Sequence, residues 1–217
     1  FGMLETVREY GAGRRDVAPD ASQSPGPEQR LVRYYDHCIQ EAEDGLAGGG
    51  TQSNWLDFFE LEHANIDTAL RKATDGTDGQ NDSGLRVATA LYRYWLLRDR
   101  ADEGLSHITD LLDSSDSRSA CLAESQFVAG SLAWWRGRRS EAKRRLLLAL
   151  PDAPIPIRHK VLHNLAGVSY DQGAIAQAQR LWAESMQIKQ ALGDIQRIPN
   201  TLNNLALTHW EMDNADS

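Results

Sequence analysis

The sequence predicts an all-α protein, an α-solenoid of stacked helix-turn-helix units, on three observations. First, Leu162, Leu165, Ala166 and Tyr170 fall at helical spacing, Gly173 stands where the chain must reverse, and Ala178, Leu181 and Trp182 restart the same period. Second, the pattern recurs. Gly130, Trp134, Gly137, Ala142, Leu146 and Ala149 hold the same relative places upstream, and Leu205, Ala206, Trp210 and Asp213 hold them downstream. The turn residues Gly137, Gly173 and Asp213 lie 36 and 40 positions apart, and a weaker copy places Asp99 38 positions before Gly137. Third, small residues alternate with large ones, so that Ala166 and Ala178 allow two helices to approach while Leu165 and Trp182 fill the space beside them.

A period of roughly 34 to 40 residues with this alternation resembles the tetratricopeptide repeat, whose helix pairs stack into a right-handed superhelix. The resemblance covers residues 120–217 and, in the weaker copy, 84–116. Helix pairs are expected near 84–98 with 101–113, 120–136 with 139–150 and 157–172 with 175–192, followed by a lone helix near 197–212. Pro151, Pro154 and Pro156 should separate the second pair from the third. The long period and Asn203-Asn204-Leu205-Ala206 are similar to the long-helix repeats of kinesin light chains and bacterial signalling proteins.

Upstream, residues 1–28 are expected to be the tail of a preceding segment and a disordered linker. Gly11–Gln29 holds Gly, Pro, Ser and Asp with almost no large apolar side chain to bury. A helical linker region is expected over 29–82, with the repeats over 83–217. Leu31, Tyr34, Tyr35, Cys38, Ile39 and Ala42 fall on one helix face, and Gly45, Gly48, Gly49 and Gly50 end that helix. The glycines are followed by Thr51 and Gln52 rather than the Lys-Ser/Thr of a phosphate loop, so they are expected to be a connector. Asp75–Ser83, rich in Gly, Asp and Asn, should be a second linker.

Two segments carry a further resemblance. Leu4-Glu5-Thr6-Val7-Arg8-Glu9-Tyr10 resembles the end of the winged-helix segment in bacterial regulatory ATPases of the STAND class. Trp55-Leu56, Glu60-Leu61-Glu62-His63 and Asn65 resemble the stretch that precedes the repeats in the same proteins. The resemblance implies a sensor or regulatory region belonging to a longer cytoplasmic chain with an upstream nucleotide-binding domain. The chain opens on Phe1 and the fourth repeat has only its first helix, so that helix is expected to expose an apolar side.

Composition narrows the function. A net charge of −8 argues against a general nucleic-acid-binding surface, and no apolar run is long enough to span a membrane. Cys38 and Cys121 form no metal-type pair and are expected as buried thiols. His159 and His163 share a helix face, but Lys160 stands where a zinc hydrolase needs Glu. Glu60, Glu62 and His63 suggest acid–base chemistry only at first sight, since they diverge around a helix. A role in fixing the junction to the repeats is expected instead. No nucleophile elbow or telling Cys/His spacing occurs, so neither an enzyme nor a cofactor is expected.

The resemblance to a repeat array implies binding of a protein or peptide in the concave groove, where aromatic rings would supply area and polar groups hydrogen bonds. By register, one side of each first helix should line that groove: Phe127, Ser131 and Trp134, then His163, Gly167 and Tyr170, then Asn203, Leu207 and Trp210. Asn164 and Asn204 occupy equivalent places. Each amide could clamp an extended backbone or bond a neighbouring helix, and the sequence leaves both roles open. A stand-alone scaffold for complex assembly is the alternative to a sensor.

Overall fold

The computed structural model describes residues 26–76, 78–115, 119–194 and 198–215. Leu4–Tyr10 and most of the expected disordered linker lie outside them. Among the described residues the chain is entirely helical outside its turns. The helices are α1 (Pro27–Ala47), α2 (Gln52–Leu61), α3 (His63–Thr74), α4 (Asp78–Ala90), α5 (Tyr92–Leu97) and α6 (Ala101–Ser114). They continue with α7 (Leu122–Trp135), α8 (Arg139–Ala149), α9 (Ile155–Asp171), α10 (Ile175–Leu192) and α11 (Ile198–Ala215). Consecutive elements pack as antiparallel pairs, α7 on α8 and α9 on α10, and each pair packs on the next. The architecture is an all-α solenoid.

The turns inside the pairs follow the register read from the sequence. Gly137 and Gly173 have φ of 73° and 77°, and Asp99, at the same place in the weaker copy, has φ of 53°. Glycine takes this left-handed geometry without a Cβ clash, and Asp tolerates it better than most residues. Asp213 differs: α11 runs through it to Ala215. An Asp has a helical alternative, and among the described residues no second helix packs there to hold a turn.

Five boundaries depart from expectation. Helix α1 starts at Pro27, inside the stretch expected to be disordered, because a first-turn residue needs no N–H. Pro156 likewise lies in the first turn of α9 rather than before it. The expected linker Asp75–Ser83 is helical from Asp78, where Asn81 Nδ2 donates to the Leu111 carbonyl (3.0 Å) and to Ser114 Oγ (2.7 Å). The first helix of that repeat is broken at Leu91, and the 55–66 stretch is broken at Glu62.

One apolar core runs without a gap from Val32 to Val168. Tyr35, Phe59, Ile66, Leu85, Leu91, Trp95, Ile108 and Leu132 are among its fully buried members. Hence α1 with α2–α3 stacks on α4 as a further helix pair. A smaller cluster of Ala166, Ala178 and Trp182 closes α9 on α10. Small residues set the helix spacing. A Cβ on Gly130 would lie 2.8 Å from Leu146 Cγ, and one on Gly104 would lie 2.5 Å from Trp95 Cγ. Helix α11 leaves Leu202, Leu207, Trp210 and Met212 exposed. Cys38 is buried, Cys121 is half-buried, and both are free thiols. No helix of the described residues is long and apolar enough to cross a membrane.

Candidate functional site

The first helices of successive pairs face a common cavity of about 650 Å³. Its walls come from α1 (Asp36, Ile39, Gln40), α4 and α5 (Arg86, Thr89, Tyr92, Arg93), α7 (Glu124, Ser125, Phe127, Val128) and α9 (His159, Lys160, His163, Asn164), with Lys189 and Asn200 at one end. Rings and aliphatic groups supply area, while amides, hydroxyls and charges supply directed bonds, a mixture typical of ligand sites. Among these wall residues, four side-chain cations stand against two carboxylates, in a chain whose net charge is −8.

Polar groups on the wall are held in place by the array. The Arg86 guanidinium donates to both Asp36 oxygens (Nε to Oδ1 3.0 Å, Nη2 to Oδ2 2.6 Å), joining α4 to α1, and a bidentate pair of this kind is directional. Thr89 and Ser125 hydroxyls bond each other at 2.9 Å between α4 and α7. Lys189 Nζ donates to Thr201 Oγ1 at 2.7 Å and lies 3.4 Å from His163 Nδ1. Burial, then the Lys189 ammonium and His159, push the His163 imidazole down to about 4, so it is neutral at pH 7.

Of the eleven residues expected in the groove, Phe127, His163 and Asn164 line the cavity. Asn164 Nδ2 donates to Ser131 Oγ at 2.7 Å, and the Ser131 hydroxyl donates to the Phe127 carbonyl at 2.8 Å. The Asn164 amide therefore serves the array while its side chain sits at the wall. Ser131 itself is buried behind it. Trp134 and Tyr170 are latches between repeats. Trp134 Nε1 donates to Asp171 Oδ2 at 2.8 Å with its ring over Gly167, and the Tyr170 hydroxyl donates to Glu211 while its ring meets Trp182. Trp210 holds the equivalent register on α11 and is 65% exposed. Asn203 and Leu207 are exposed, Asn204 is half-buried, and none of the three is on the cavity wall.

Among the wall residues that the sequence reading missed, Asp36, Arg86, Tyr92 and Arg93 lie on α1, α4 and α5. Their signal was weak because α1 and α4 were read as linker and diverged repeat, where no register could be carried over.

The Glu60, Glu62 and His63 cluster forms a junction. The Tyr35 hydroxyl donates to Glu62 Oε2 at 2.7 Å, and Tyr94 Oη lies 3.1 Å from both Glu60 Oε2 and His63 Nδ1. Arg100 Nη2 donates to Glu60 Oε1 at 2.7 Å, which holds that carboxyl below its ordinary range. These bonds join α1 to α2–α3, and α2–α3 to α5–α6.

No family model matches the chain, and no curated protein matches it in sequence. The fold defines a tetratricopeptide-type solenoid. A solved structure from Pseudomonas aeruginosa, described under the functional characterisation of PilF, a tetratricopeptide-repeat protein, superposes with a TM-score of 0.59. It is 19% identical, over 86% of this chain and 71% of that one, a likeness of fold.

Proposed function

We propose that the chain is a non-catalytic module that holds an extended segment of a protein or peptide in the concave cavity. The observation that carries this reading is the shared cavity itself, walled by the first helices of successive pairs and bearing Tyr92 and Phe127 rings beside Asn164 and Asn200 amides. The excess of cations on the wall favours a segment with acidic side chains. Selection from a displayed random-peptide library tests it. Enriched peptides should carry Asp or Glu and bind several-fold more weakly to Arg93→Glu, a change at an exposed wall position. Enrichment without acidic residues, or binding indifferent to Arg93→Glu, contradicts it.

In its fuller form the module is the cytoplasmic sensor or regulatory region of a larger bacterial signalling ATPase or transcription regulator. The resemblance of Leu4–Tyr10 and Trp55–Asn65 to STAND-class proteins supports this. A partner would act by binding one state of the upstream nucleotide-binding domain more tightly than the other. The module itself makes no direct contact with nucleic acid. A stand-alone scaffold is the second reading, favoured by the exposed Leu202, Leu207 and Trp210 of α11, which lie off the cavity and could hold another protein.

A further inference from the structure

Away from the cavity, α3 and α6 bring together a set of side chains that the proposed binding function does not use. Glu103 and His107 stand one turn apart on α6, so both project from one face, and Asp67 of α3 meets them. His107 Nε2 lies 3.2 Å from Asp67 Oδ1 and 3.9 Å from Glu103 Oε1, and the three ligand atoms lie within 4.8 Å of one another. We infer that Asp67, Glu103 and His107 bind a divalent transition-metal ion that clamps the α2–α3 unit to the first repeat.

The geometry suits an ion. Metal bonds of about 2.0–2.2 Å to imidazole nitrogen and carboxylate oxygen put neighbouring ligand atoms roughly 3–3.5 Å apart, so the two His107 contacts, at 3.2 and 3.9 Å, need only a small contraction. The His107 side chain is 9% exposed and its ring is held between the helices, whereas Asp67 and Glu103 are 22% and 30% exposed and leave a path for entry. His63 Nε2, 3.1 Å from Glu103 Oε1, supports that oxygen from the α3 side. Both nearby cations can give way. Arg71 reaches Asp67 Oδ1 at 3.0 Å but is 72% exposed and can swing into water. Arg100 makes its short contact with Glu60 (2.7 Å) and meets Glu103 only through Oε2 at 3.4 Å, leaving Oε1 turned to the imidazoles. One imidazole with two carboxylates matches Zn²⁺ or its first-row neighbours better than Mg²⁺.

Calorimetric titration of the chain with Zn²⁺ near neutral pH tests the site. Asp67→Asn and Glu103→Gln keep side-chain size, and circular dichroism of the metal-free variants checks their fold. His37→Ala removes the exposed His37–Glu41 pair as a control for adventitious binding. The expected result is one saturating ion per chain and a rise in the midpoint of thermal unfolding. Affinity should fall about tenfold or more in both acid variants and stay unchanged in His37→Ala. No saturable binding to the parent, or parent-like affinity in either acid variant, overturns the proposal.

Discussion

Replacing Gly104 by Ala tests whether glycine sets the closeness of the helices. The added Cβ would lie 2.5 Å from Trp95 Cγ, 2.7 Å from Cδ1 and 2.8 Å from Cδ2. These atoms are at the root of the indole, so the ring cannot evade the methyl by pivoting about its far end. Trp95 is fully buried and its Nε1 donates to the Ala88 carbonyl at 2.9 Å. Either α5 and α6 separate or the ring turns and loses that bond. Overpacking costs about 1–3 kcal/mol and an unmade buried hydrogen bond about 1–3 kcal/mol. The greater helix propensity of Ala returns about 1 kcal/mol, so the net loss should be about 2–3 kcal/mol. Gly167→Ala is the control. Its Cβ would meet Trp134 at Cη2 and Cζ2, the far rim of a half-buried ring that can swing outward by giving up its exposed bond to Asp171. That loss should be about 1 kcal/mol or less once the propensity gain is counted. Urea unfolding followed by far-ultraviolet circular dichroism gives both values. A Gly104→Ala protein as stable as the parent, or a Gly167→Ala protein that loses more, would refute the packing argument.

Asp99→Gly should stabilise the chain by up to about 1 kcal/mol, because it relieves a left-handed turn and gives up only a surface ion pair of 3.7 Å to Arg136; the same urea titration checks it. His163, neutral in the fold with its pKa near 4 against about 6.5 when unfolded, makes the unfolded chain the better proton acceptor between those values. Stability should therefore be full above about pH 6.5 and fall as pH drops toward 4, by up to about 3 kcal/mol. A His163→Asn variant should show a flatter pH profile over that window. Trp182→Ala should cost about 3–5 kcal/mol, since its ring is buried and its Nε1 donates to the His163 carbonyl, whereas Trp210→Ser should stay within about 0.5 kcal/mol. Thermal melts of the two variants separate a core tryptophan from an exposed one.

The repeat register was legible because it rests on local rules. Gly137 and Gly173 mark turns through their φ, Ala142 and Leu146 pack within the first of these hairpins, and Ala178 packs within the second. The site was only partly legible because its wall is assembled from residues far apart in sequence. Arg86 and Asp36 are 50 positions apart, and nothing in a helical period announces their pairing. Trp134 and Tyr170 share a register that reads equally well as groove or as inter-repeat contact. The carboxylates Asp171 and Glu211, one repeat onward, decide for the contact. The Asp75–Ser83 stretch misled because Asp, Gly and Asn signal turns locally, while Asn81, itself buried, instead finds two partners on α6.

The account rests most directly on where a partner segment lies. A photo-activated cross-linking amino acid placed at Arg93, on the cavity wall, and separately at the exposed Leu147, off the wall, would locate it using a peptide selected on the parent chain. Cross-links from position 93, mapping beside Phe127 and Asn164 and absent from position 147, are the expected result. Cross-links from position 147 alone would place the partner outside the cavity and contradict the concave-groove assignment.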